Sequence, residues 1–392
     1  MLDIDALRRE TKGCDHVLHF DNAGASLQPD SVHDSVVDYL EHERRVGGYA
    51  ASRDYHQELE SFYEQFARLL NCSPNEIAFI ENATRAWDMA FYSIDFKPGD
   101  RILTAKSEYV SNALAYLQVA RRHGVLVEVV PDDEFGQLDV SALESMLDER
   151  VKLISITHVP TQGGLVNPAE KIGEIATRHG IMYLLDACQS VGQMPIDVKK
   201  IGCDLLSGTG RKFLRGPRGT GFLFVREGLI DKLEPPFVDL HAGSWTSSME
   251  FSIRGDARRF ENWECFFAGK VGLAKAAEYA MSVGLDASYN RIRVLAEKLR
   301  ADLLNVSGVE VHDLGLERCG IVTFSHEGMA ASDLNQALWN RRINVTTSNS
   351  TSARWDFEDR GLSSVTRASL HYFNTEQEIA RFCDEVQQLT QG

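Results

Sequence analysis

The sequence lacks the features that mark membrane-spanning, secreted and nucleic-acid-binding proteins. No stretch approaches the roughly 18 apolar residues that a membrane-spanning helix requires. The first ten residues mix Asp, Arg and Glu without an apolar core, so they do not resemble a signal peptide. Basic residues are also in deficit, since 41 Lys and Arg face 57 Asp and Glu, a formal net charge of −16. This balance argues against non-specific nucleic-acid binding and against docking on anionic membranes.

The cysteines form no pattern of cross-links or metal ligands. There are seven of them, widely spaced, and no two form a Cys-x-x-Cys pair. An odd, scattered set excludes a disulfide scaffold and argues against a zinc site. With 43% hydrophobic and 25% charged residues, the 392-residue chain has the composition of a folded protein. We therefore expect a cytoplasmic enzyme with reduced thiols and no metal.

Between residues 76 and 225, short apolar runs alternate with amphipathic, helix-like stretches. We predict strands at 76–80, 101–104, 126–130, 153–157, 182–185, 204–207 and 221–225. Seven such strands, separated by helices, are typical of an α/β protein with a mainly parallel sheet covered on both faces. In such sheets ligands bind beyond the carboxyl ends of the strands.

The pattern changes near residue 260. A long helical segment follows, then short strands and a final helix, which is the outline of a smaller α+β domain. We therefore predict a large, ligand-binding domain over residues 20–260. Residues 1–19 and 261–392 are predicted to form the small domain.

Four polar features lie where strands are expected to end or begin. An apolar strand runs into Asp186, the Gly-rich turn at 208–213 presents Lys212, Thr84 opens a helix, and Arg367 begins a late strand. The turn fits neither a Walker loop nor a dinucleotide fingerprint. Singly, each residue is explained by helix capping or surface charge. Together they supply an anion site at a helix N-terminus, an acid for a pyridine nitrogen and a lysine for an imine, as pyridoxal phosphate requires.

The order and spacing of these motifs resemble the fold-type I pyridoxal-phosphate enzymes of the class V aminotransferase and cysteine desulfurase superfamily. The resemblance extends from residues 20–24 to 367–375, and its most specific parts are 186–189 and 209–212. It implies a fold-type I transferase fold, with pyridoxal 5'-phosphate in the large domain and an amino acid as the small-molecule substrate. It also implies a homodimer with the active site at the interface, where residues 259–264 match the segment that reaches the neighbour's phosphate.

The resemblance also assigns roles by position. The implied cofactor-binding residues are Ala83, Thr84, Tyr109, Asp186, Gln189, Thr209, Arg211 and Lys212. Among them Lys212 would be the Schiff-base lysine and the base at Cα, Asp186 would pair with the pyridine nitrogen, and Tyr109 would stack on the ring, where desulfurases carry His. The implied substrate-binding residues are Asn22, Gly24 and Arg367. The arginine's fork would hold the substrate α-carboxylate in two contacts.

One departure from the desulfurase pattern decides the predicted reaction. Cysteine desulfurases need a nucleophilic cysteine in the loop before the last arginine strand, and here that loop, residues 345–362, contains none. Cys319 precedes a core strand and is expected to be buried. Residues 157–161, 210–219 and 371–375 resemble the corresponding segments of carbon–sulfur lyases, which include hercynylcysteine sulfoxide lyases and isopenicillin N epimerase-like proteins. We therefore predict β-elimination from a cysteine-derived amino acid, giving pyruvate, ammonia and a sulfur product.

The alternatives are an aminotransferase or amino-acid epimerase on the same cofactor, a non-catalytic partner on an enzyme fold, and, less favoured, a cysteine desulfurase. Arg354 and Arg360 in the loop are open to two interpretations, recognition of a second anionic group or solvated charge. Trp245 and Trp355 are either a wall for an aromatic substrate or buried loop anchors. The leaving group and the stereochemistry at Cα are not readable from the sequence.

Overall fold

The computed structural model describes residues 2–390. Its helices are α1 (Ile4–Arg9), α2 (Asn22–Ala25), α3 (Asp30–Val46), α4 (Gly48–Asp54), α5 (His56–Leu70), α6 (Ala83–Phe91), α7 (Val110–His123), α8 (Val140–Ser145), α9 (Ala169–His179), α10 (Val198–Ile201), α11 (Glu227–Ile230), α12 (Phe267–Val283), α13 (Leu285–Leu303), α14 (Ala331–Asn340), α15 (Arg354–Asp359) and α16 (Glu376–Thr390). Short 3₁₀ turns occur at Lys12–Asp15, Pro74–Glu76 and Ala257–Phe260.

The strands follow in the same chain order. They are β1 (Leu18–His19), β2 (Ile77–Ile80), β3 (Arg101–Ala105), β4 (Leu126–Val130), β5 (Val151–Thr157), β6 (Met182–Asp186), β7 (Leu205–Thr209), β8 (Gly221–Val225), β9 (Gly243–Ser247), β10 (Glu250–Ile253), β11 (Val309–Val311), β12 (Ile321–His326), β13 (Ile343–Asn344), β14 (Thr346–Asn349) and β15 (Ser364–Ser369).

The central sheet has seven strands in the order β2-β8-β7-β6-β5-β3-β4. The pairs from β7 to β4 are parallel, whereas β8 runs antiparallel to both β7 and β2. Helices α5, α9 and α12 pack on one face and α6 and α7 on the other. Because both faces are covered, β2, β3, β7 and β8 are buried at every position and consist largely of apolar residues. The predicted α/β fold with a mainly parallel seven-stranded sheet is confirmed.

A second, antiparallel sheet lies towards the C-terminus, in the order β11-β12-β15-β14. Its core joins α13, α14 and α16 to the N-terminal segment, where Phe20 packs on Phe382 with ring centroids 4.8 Å apart. Strand β1 pairs in parallel with β13, setting Leu18 opposite Ile343. The N-terminal segment therefore packs on C-terminal elements. The domain bounds 20–260, 1–19 and 261–392 stay a prediction.

Strands β9 and β10 follow β8, the last strand of the large sheet in chain order, and pair as an exposed antiparallel hairpin. The sequence patterns did not predict this hairpin. Its side chains include Trp245, Met249 and Phe251, which are 82%, 90% and 57% exposed. Apolar side chains on a surface hairpin lack the alternation of a half-buried strand, so periodicity gave no signal. Within residues 2–390 no helix is long and apolar enough to cross a membrane.

Candidate active site

A cavity opens at the carboxyl ends of β5, β6 and β7, with about 500 Å³ of empty space when its solvent-open part is counted. Its lining residues are Asn82, Ala83, Thr84, Tyr109, Thr157, Val159, Thr161, Asp186, Cys188, Gln189, Thr209, Arg211 and Lys212. All eight predicted cofactor-binding residues are in this set. The structure therefore brings them to one place, and their individual roles stay predictions.

Lys212 lies in the tight connection between the antiparallel strands β7 and β8. Two backbone bonds close this connection, Gly210 N to Thr220 O at 3.0 Å and Gly216 N to Gly210 O at 2.7 Å. A Cβ at Gly210 would stand 2.3 Å from Thr220 Oγ1, so only glycine fits there. The Lys212 side chain is buried, and burial lowers the pKa of its ammonium group. A share of neutral, nucleophilic amine is therefore available at lower pH than for a free lysine.

Asp186 is the last residue of β6, where the parallel strand delivers it to the cavity floor. It is 4% exposed. Its Oδ1 accepts a hydrogen bond from Cys188 N at 3.0 Å, and its Oδ2 accepts one from Asn112 Nδ2 at 3.0 Å. These two donors fix the orientation of the carboxylate. Asp186 can therefore offer a pre-oriented negative charge to a cationic ring nitrogen.

The amide of Asn112 also donates to Glu108 Oε1 at 3.0 Å, so a second buried carboxylate stands behind Asp186. The donors to Glu108 are Tyr109 N, Asn112 Nδ2, Thr104 Oγ1, Tyr116 Oη and Thr157 Oγ1. Burial raises the pKa of Glu108 to about 7, against the effect of its donors. We did not predict Glu108 or Asn112. The available signal was an acid just after β3 and an amide four residues later, in the first turn of α7.

The predicted phosphate end of the cavity lies at the start of α6. Asn82 caps this helix, because its Oδ1 accepts from Arg85 N at 2.9 Å. Strand β8 approaches the helix start closely, and a Cβ at Gly221 would stand 2.9 Å from Ala83 N. The hydroxyl of Thr209 donates to Thr220 O at 3.3 Å. Helix N-terminal amides and hydroxyls at this end are suited to an anion.

Two buried atoms beside the cavity have no hydrogen-bond partner in the described chain. Gln189 Nε2 donates to Ala23 O at 3.1 Å and to Thr161 Oγ1 at 3.2 Å, but its Oε1 is unpaired. Arg367 donates through Nη1 to Thr161 O at 3.0 Å and pairs through Nη2 with Asp21 at 3.2 Å, but its Nε is unpaired. Since buried polar atoms normally have partners, both atoms are available to a group bound in the cavity.

The predicted substrate-binding residues Asn22, Gly24 and Arg367 lie beside the cavity and not in its lining. Asn22 Nδ2 donates to Ser369 O at 2.7 Å, which ties its segment to β15. The carbonyl of Gly24 accepts from the Arg211 guanidinium. These contacts hold the segment against the cavity wall, and direct contact with a substrate stays a prediction.

Loop 345–362 contains α15 and a set of charges that pair with one another. Arg354 pairs with Glu358 on the surface, its side chain 64% exposed. Arg360 pairs with Asp356 at 3.4 Å. Both arginines therefore have partners within the loop, which favours the interpretation as structural and solvated charge over recognition of a second anionic group.

The remaining residues singled out in the sequence have separate surroundings. Trp355 packs against the core under α6 and α7, as a loop anchor does, whereas Trp245 stands exposed on the hairpin. Cys319 is fully buried, as predicted.

A parallel sheet with a desolvated lysine and an oriented aspartate at its carboxyl edge defines a fold-type I pyridoxal-phosphate enzyme. The family can be named more narrowly. Residues 18–382 match the model of the family described as "Aminotransferase class-V", and the chain belongs to that family. This confirms the superfamily suggested by the motifs. A particular closeness to carbon–sulfur lyases is not confirmed.

Curated relatives match over nearly the whole chain. A "Probable cysteine desulfurase" of Pyrococcus abyssi (strain GE5 / Orsay) is 27% identical over 98% of this chain and 97% of the relative. One of Xylella fastidiosa (strain Temecula1 / ATCC 700964) is 30% identical over 97% of this chain and 92% of the relative. The apo structure of cysteine desulfurase from Thermococcus onnurineus NA1 is also similar, with a TM-score of 0.93, 26% identity, and coverage of 100% of this chain and 99% of that one.

These comparisons overturn the predicted reaction. Relatives over the full length are named cysteine desulfurases, so β-elimination to pyruvate was the wrong prediction, and so was the low rank given to desulfuration. The error has a physical reason. A missing loop cysteine removes one possible sulfur acceptor, but it leaves the residues that line the cavity in place and does not by itself indicate a different reaction.

The cofactor prediction is confirmed, since membership of the class V family implies pyridoxal phosphate. The residues present fit this group on two observations. The desolvated Lys212 and the oriented Asp186 line the same cavity, and the unpaired Oε1 of Gln189 is buried beside them. The protein is thus a pyridoxal-phosphate-dependent class V enzyme.

Proposed function

We propose that the protein is a cysteine desulfurase, which takes sulfur from L-cysteine and leaves L-alanine. The observation that carries the proposal is the cavity itself, where Lys212 and Asp186 lie beside an arginine suited to an amino-acid carboxylate. The full-length similarity to proteins named cysteine desulfurases supports the same substrate.

The cofactor, when bound, supplies an electron-accepting ring that stabilises negative charge at the substrate Cα. Lys212 Nζ would form the covalent bond to the cofactor and would transfer the proton at the substrate Cα. Asp186 would pair with the pyridine nitrogen. Thr84, the amide of Ala83, Thr209 and Arg211 would hold the phosphate. Tyr109 would stack on the ring, and Gln189 would reach the phenolic oxygen.

Arg367 is assigned to the substrate α-carboxylate. Its guanidinium is buried and already held by Thr161 and Asp21, so it is pre-oriented while its Nε stays free. Burial lowers its pKa against the opposing charge of Asp21, but an arginine remains protonated throughout the physiological range. Asn22 and Gly24 line the approach. A rigid cation of this kind binds a carboxylate without paying for its own ordering.

The sulfur acceptor must come from outside loop 345–362, which has no cysteine. Cys188 lines the cavity, but burial, and secondarily the charge of Asp186, raise its pKa and keep the thiol protonated and weakly nucleophilic. We therefore propose an external thiol as acceptor. Its thiolate sulfur bonds to the cysteine sulfur, the Cβ–S bond breaks with its electron pair on carbon, and Cβ takes a proton, so that cysteine and thiol become alanine and a persulfide.

The test is to incubate the holoenzyme with L-cysteine and to assay alanine, pyruvate and sulfide together. With dithiothreitol as the external thiol, we expect alanine and sulfide in equal amounts and little pyruvate. Without added thiol, alanine formation should fall to the slow rate at which a second molecule of L-cysteine can serve as the thiol, with no burst of one alanine per active site. Cys188→Ser should keep the activity if the acceptor is external. Pyruvate in place of alanine, or a Cys188→Ser variant without activity, would contradict the proposal.

We further propose a homodimer with the active site at its interface. The hairpin region carries a cluster of exposed apolar side chains, which are Phe237, Leu240, Trp245, Met249 and Phe251. A patch of this kind marks an interaction surface. Asp239 in the same region accepts from Trp263 N at 2.7 Å, which joins the patch to the segment predicted to reach a neighbour's phosphate.

Light scattering at micromolar concentration should give twice the chain mass of 43.8 kDa. A double variant, Trp245→Ser with Phe251→Ser, should become monomeric and lose activity. A monomeric, fully active wild type would contradict the proposal. The cytoplasmic location expected from the sequence also stays a proposal, and fractionation of cells followed by detection of the protein tests it.

A further inference from the structure

One side-chain amide connects two buried carboxylates at the cavity floor. Asn112 Nδ2 donates one hydrogen to Asp186 Oδ2 and the other to Glu108 Oε1, each at 3.0 Å. All three side chains are nearly inaccessible, at 3%, 4% and 3% exposed for Asn112, Asp186 and Glu108. The chemistry also sets the orientation of the amide, because both partners are acceptors and only its NH₂ end can satisfy them.

Glu108 is itself held rigidly. Oε1 accepts from Tyr109 N at 2.7 Å, from Asn112 and from Thr157 Oγ1, and Oε2 accepts from Thr104 Oγ1 at 2.9 Å. A hydrogen bond from Tyr116 Oη at 3.2 Å to Oε2 completes the set. These partners are neutral donors, which stabilise an ionised carboxylate without neutralising its charge. The negative charge of ionised Glu108 therefore acts on the neighbouring groups, including Asp186.

We propose that Glu108 is a positioning residue, which acts through Asn112 to fix Asp186 and to strengthen its hold on the pyridine nitrogen. Fixing one carboxylate oxygen presets the direction of the other contacts of Asp186. A negative charge behind Asp186 also raises the affinity of the site for a proton on the cofactor, since charges interact strongly in a buried region. This inference goes beyond the proposed reaction, because it concerns the cofactor that every reaction of this site would use.

The test compares wild type with Glu108→Gln, using the visible absorption of the bound cofactor without substrate. Two titratable groups lie next to Glu108: Tyr116, whose hydroxyl donates to it, and Asp186, which it reaches through the Asn112 amide. Glu108 is ionised above its pKa of about 7. Glutamine keeps the shape and removes the charge. We expect the pH midpoint of the cofactor's visible band to fall by about 0.5–1 pH unit, because the protonated cofactor loses stabilisation. An unmoved midpoint would overturn the proposal.

A double-mutant cycle separates action through Asn112 from action through space. In an Asn112→Ala background, Glu108→Gln should move the midpoint by less than half as much as in wild type. Equal shifts in both backgrounds would refute the role of the amide. The control is Asp313→Asn, another buried carboxylate, which pairs with Arg300 at 2.7 Å away from the cavity floor. It should lower the melting temperature and leave the midpoint in place.

If Glu108→Gln does not fold, Asn112→Ala alone tests the same connection. The cofactor dissociation constant of this variant, measured by equilibrium dialysis at pH 8, should rise several-fold, and Asp313→Asn should leave it unchanged. A dissociation constant and a midpoint both equal to those of wild type would overturn the proposal. None of these measurements depends on turnover of cysteine, so they remain decisive if the proposed reaction fails.

Discussion

The two sides of the active-site region are constructed differently. The cofactor side consists of strand ends and helix starts, and its polar groups, such as Asp186 and Glu108, are buried and held by several hydrogen bonds each. The facing loop 345–362 carries surface ion pairs, such as Arg354 with Glu358, and no cysteine. The difference indicates that the fold positions the residues of the cofactor cavity rigidly. The loop, in contrast, supplies no cysteine that could accept sulfur.

Removing the proposed covalent attachment point should produce the largest effect. Lys212→Ala removes the amine that we propose bonds to the cofactor and moves the Cα proton. We expect alanine formation to fall by about 10³-fold or more, in line with the loss of a nucleophile and general base. The visible band of the purified protein should change as well. A variant that keeps more than a tenth of the wild-type rate would show that the Lys212 amine is not required for the reaction.

Arg367, the proposed partner of the substrate carboxylate, should give the next largest effect. Arg367→Lys keeps the charge but loses the fork, so the carboxylate of cysteine should bind through one contact in place of two. We expect KM for L-cysteine to rise by about 10–100-fold, with a smaller change in kcat. Steady-state alanine assays measure both constants. If kcat fell and KM did not change, Arg367 would act on a later step, and its assignment to the ground-state carboxylate would be wrong.

A third prediction concerns stability on the cofactor side, where burial lowers the pKa of His158 to about 4. The unfolded histidine has a pKa near 6.5, so the unfolded chain binds a proton that the folded chain rejects. Stability should therefore fall as pH drops from 6.5 towards 4. When the pH is lowered from 6.5 to 5, protonation of this histidine in the unfolded chain should reduce the free energy of unfolding by about 1.5 kcal/mol.

Urea unfolding of the apo-protein at the two pH values measures this slope. His158→Gln should remove the 1.5 kcal/mol contribution. His16→Gln, at an exposed position, serves as the control and should leave the slope unchanged. Equal slopes in wild type and His158→Gln would mean that His158 is protonated in the fold, and the contrast between a desolvated cofactor side and a solvated loop would weaken.

The comparison also explains what could be predicted from the sequence. Strands with apolar runs, the residues that end them such as Asp186 and Thr209, and Lys212 in the turn that follows were predictable, because strand ends and tight glycine turns are local features. Glu108 and Asn112 were not, because their function lies in a contact with Asp186, 74 residues away from Asn112 along the chain. The reaction was mispredicted because one absent cysteine was given more weight than the groups that were present.

The smallest effect is expected in the loop. Arg354 is mostly exposed and pairs with Glu358 one helical turn away, an arrangement that contributes only about 0.3–0.5 kcal/mol. Arg354→Ala should therefore change kcat/KM for L-cysteine by less than about twofold. The same assay with cysteine derivatives that carry a second carboxylate sharpens the test, because an arginine that recognised a second anion would matter only for them. A loss of more than tenfold confined to those substrates would restore a recognition role for the loop, and the two sides of the site would then share the selection of substrate.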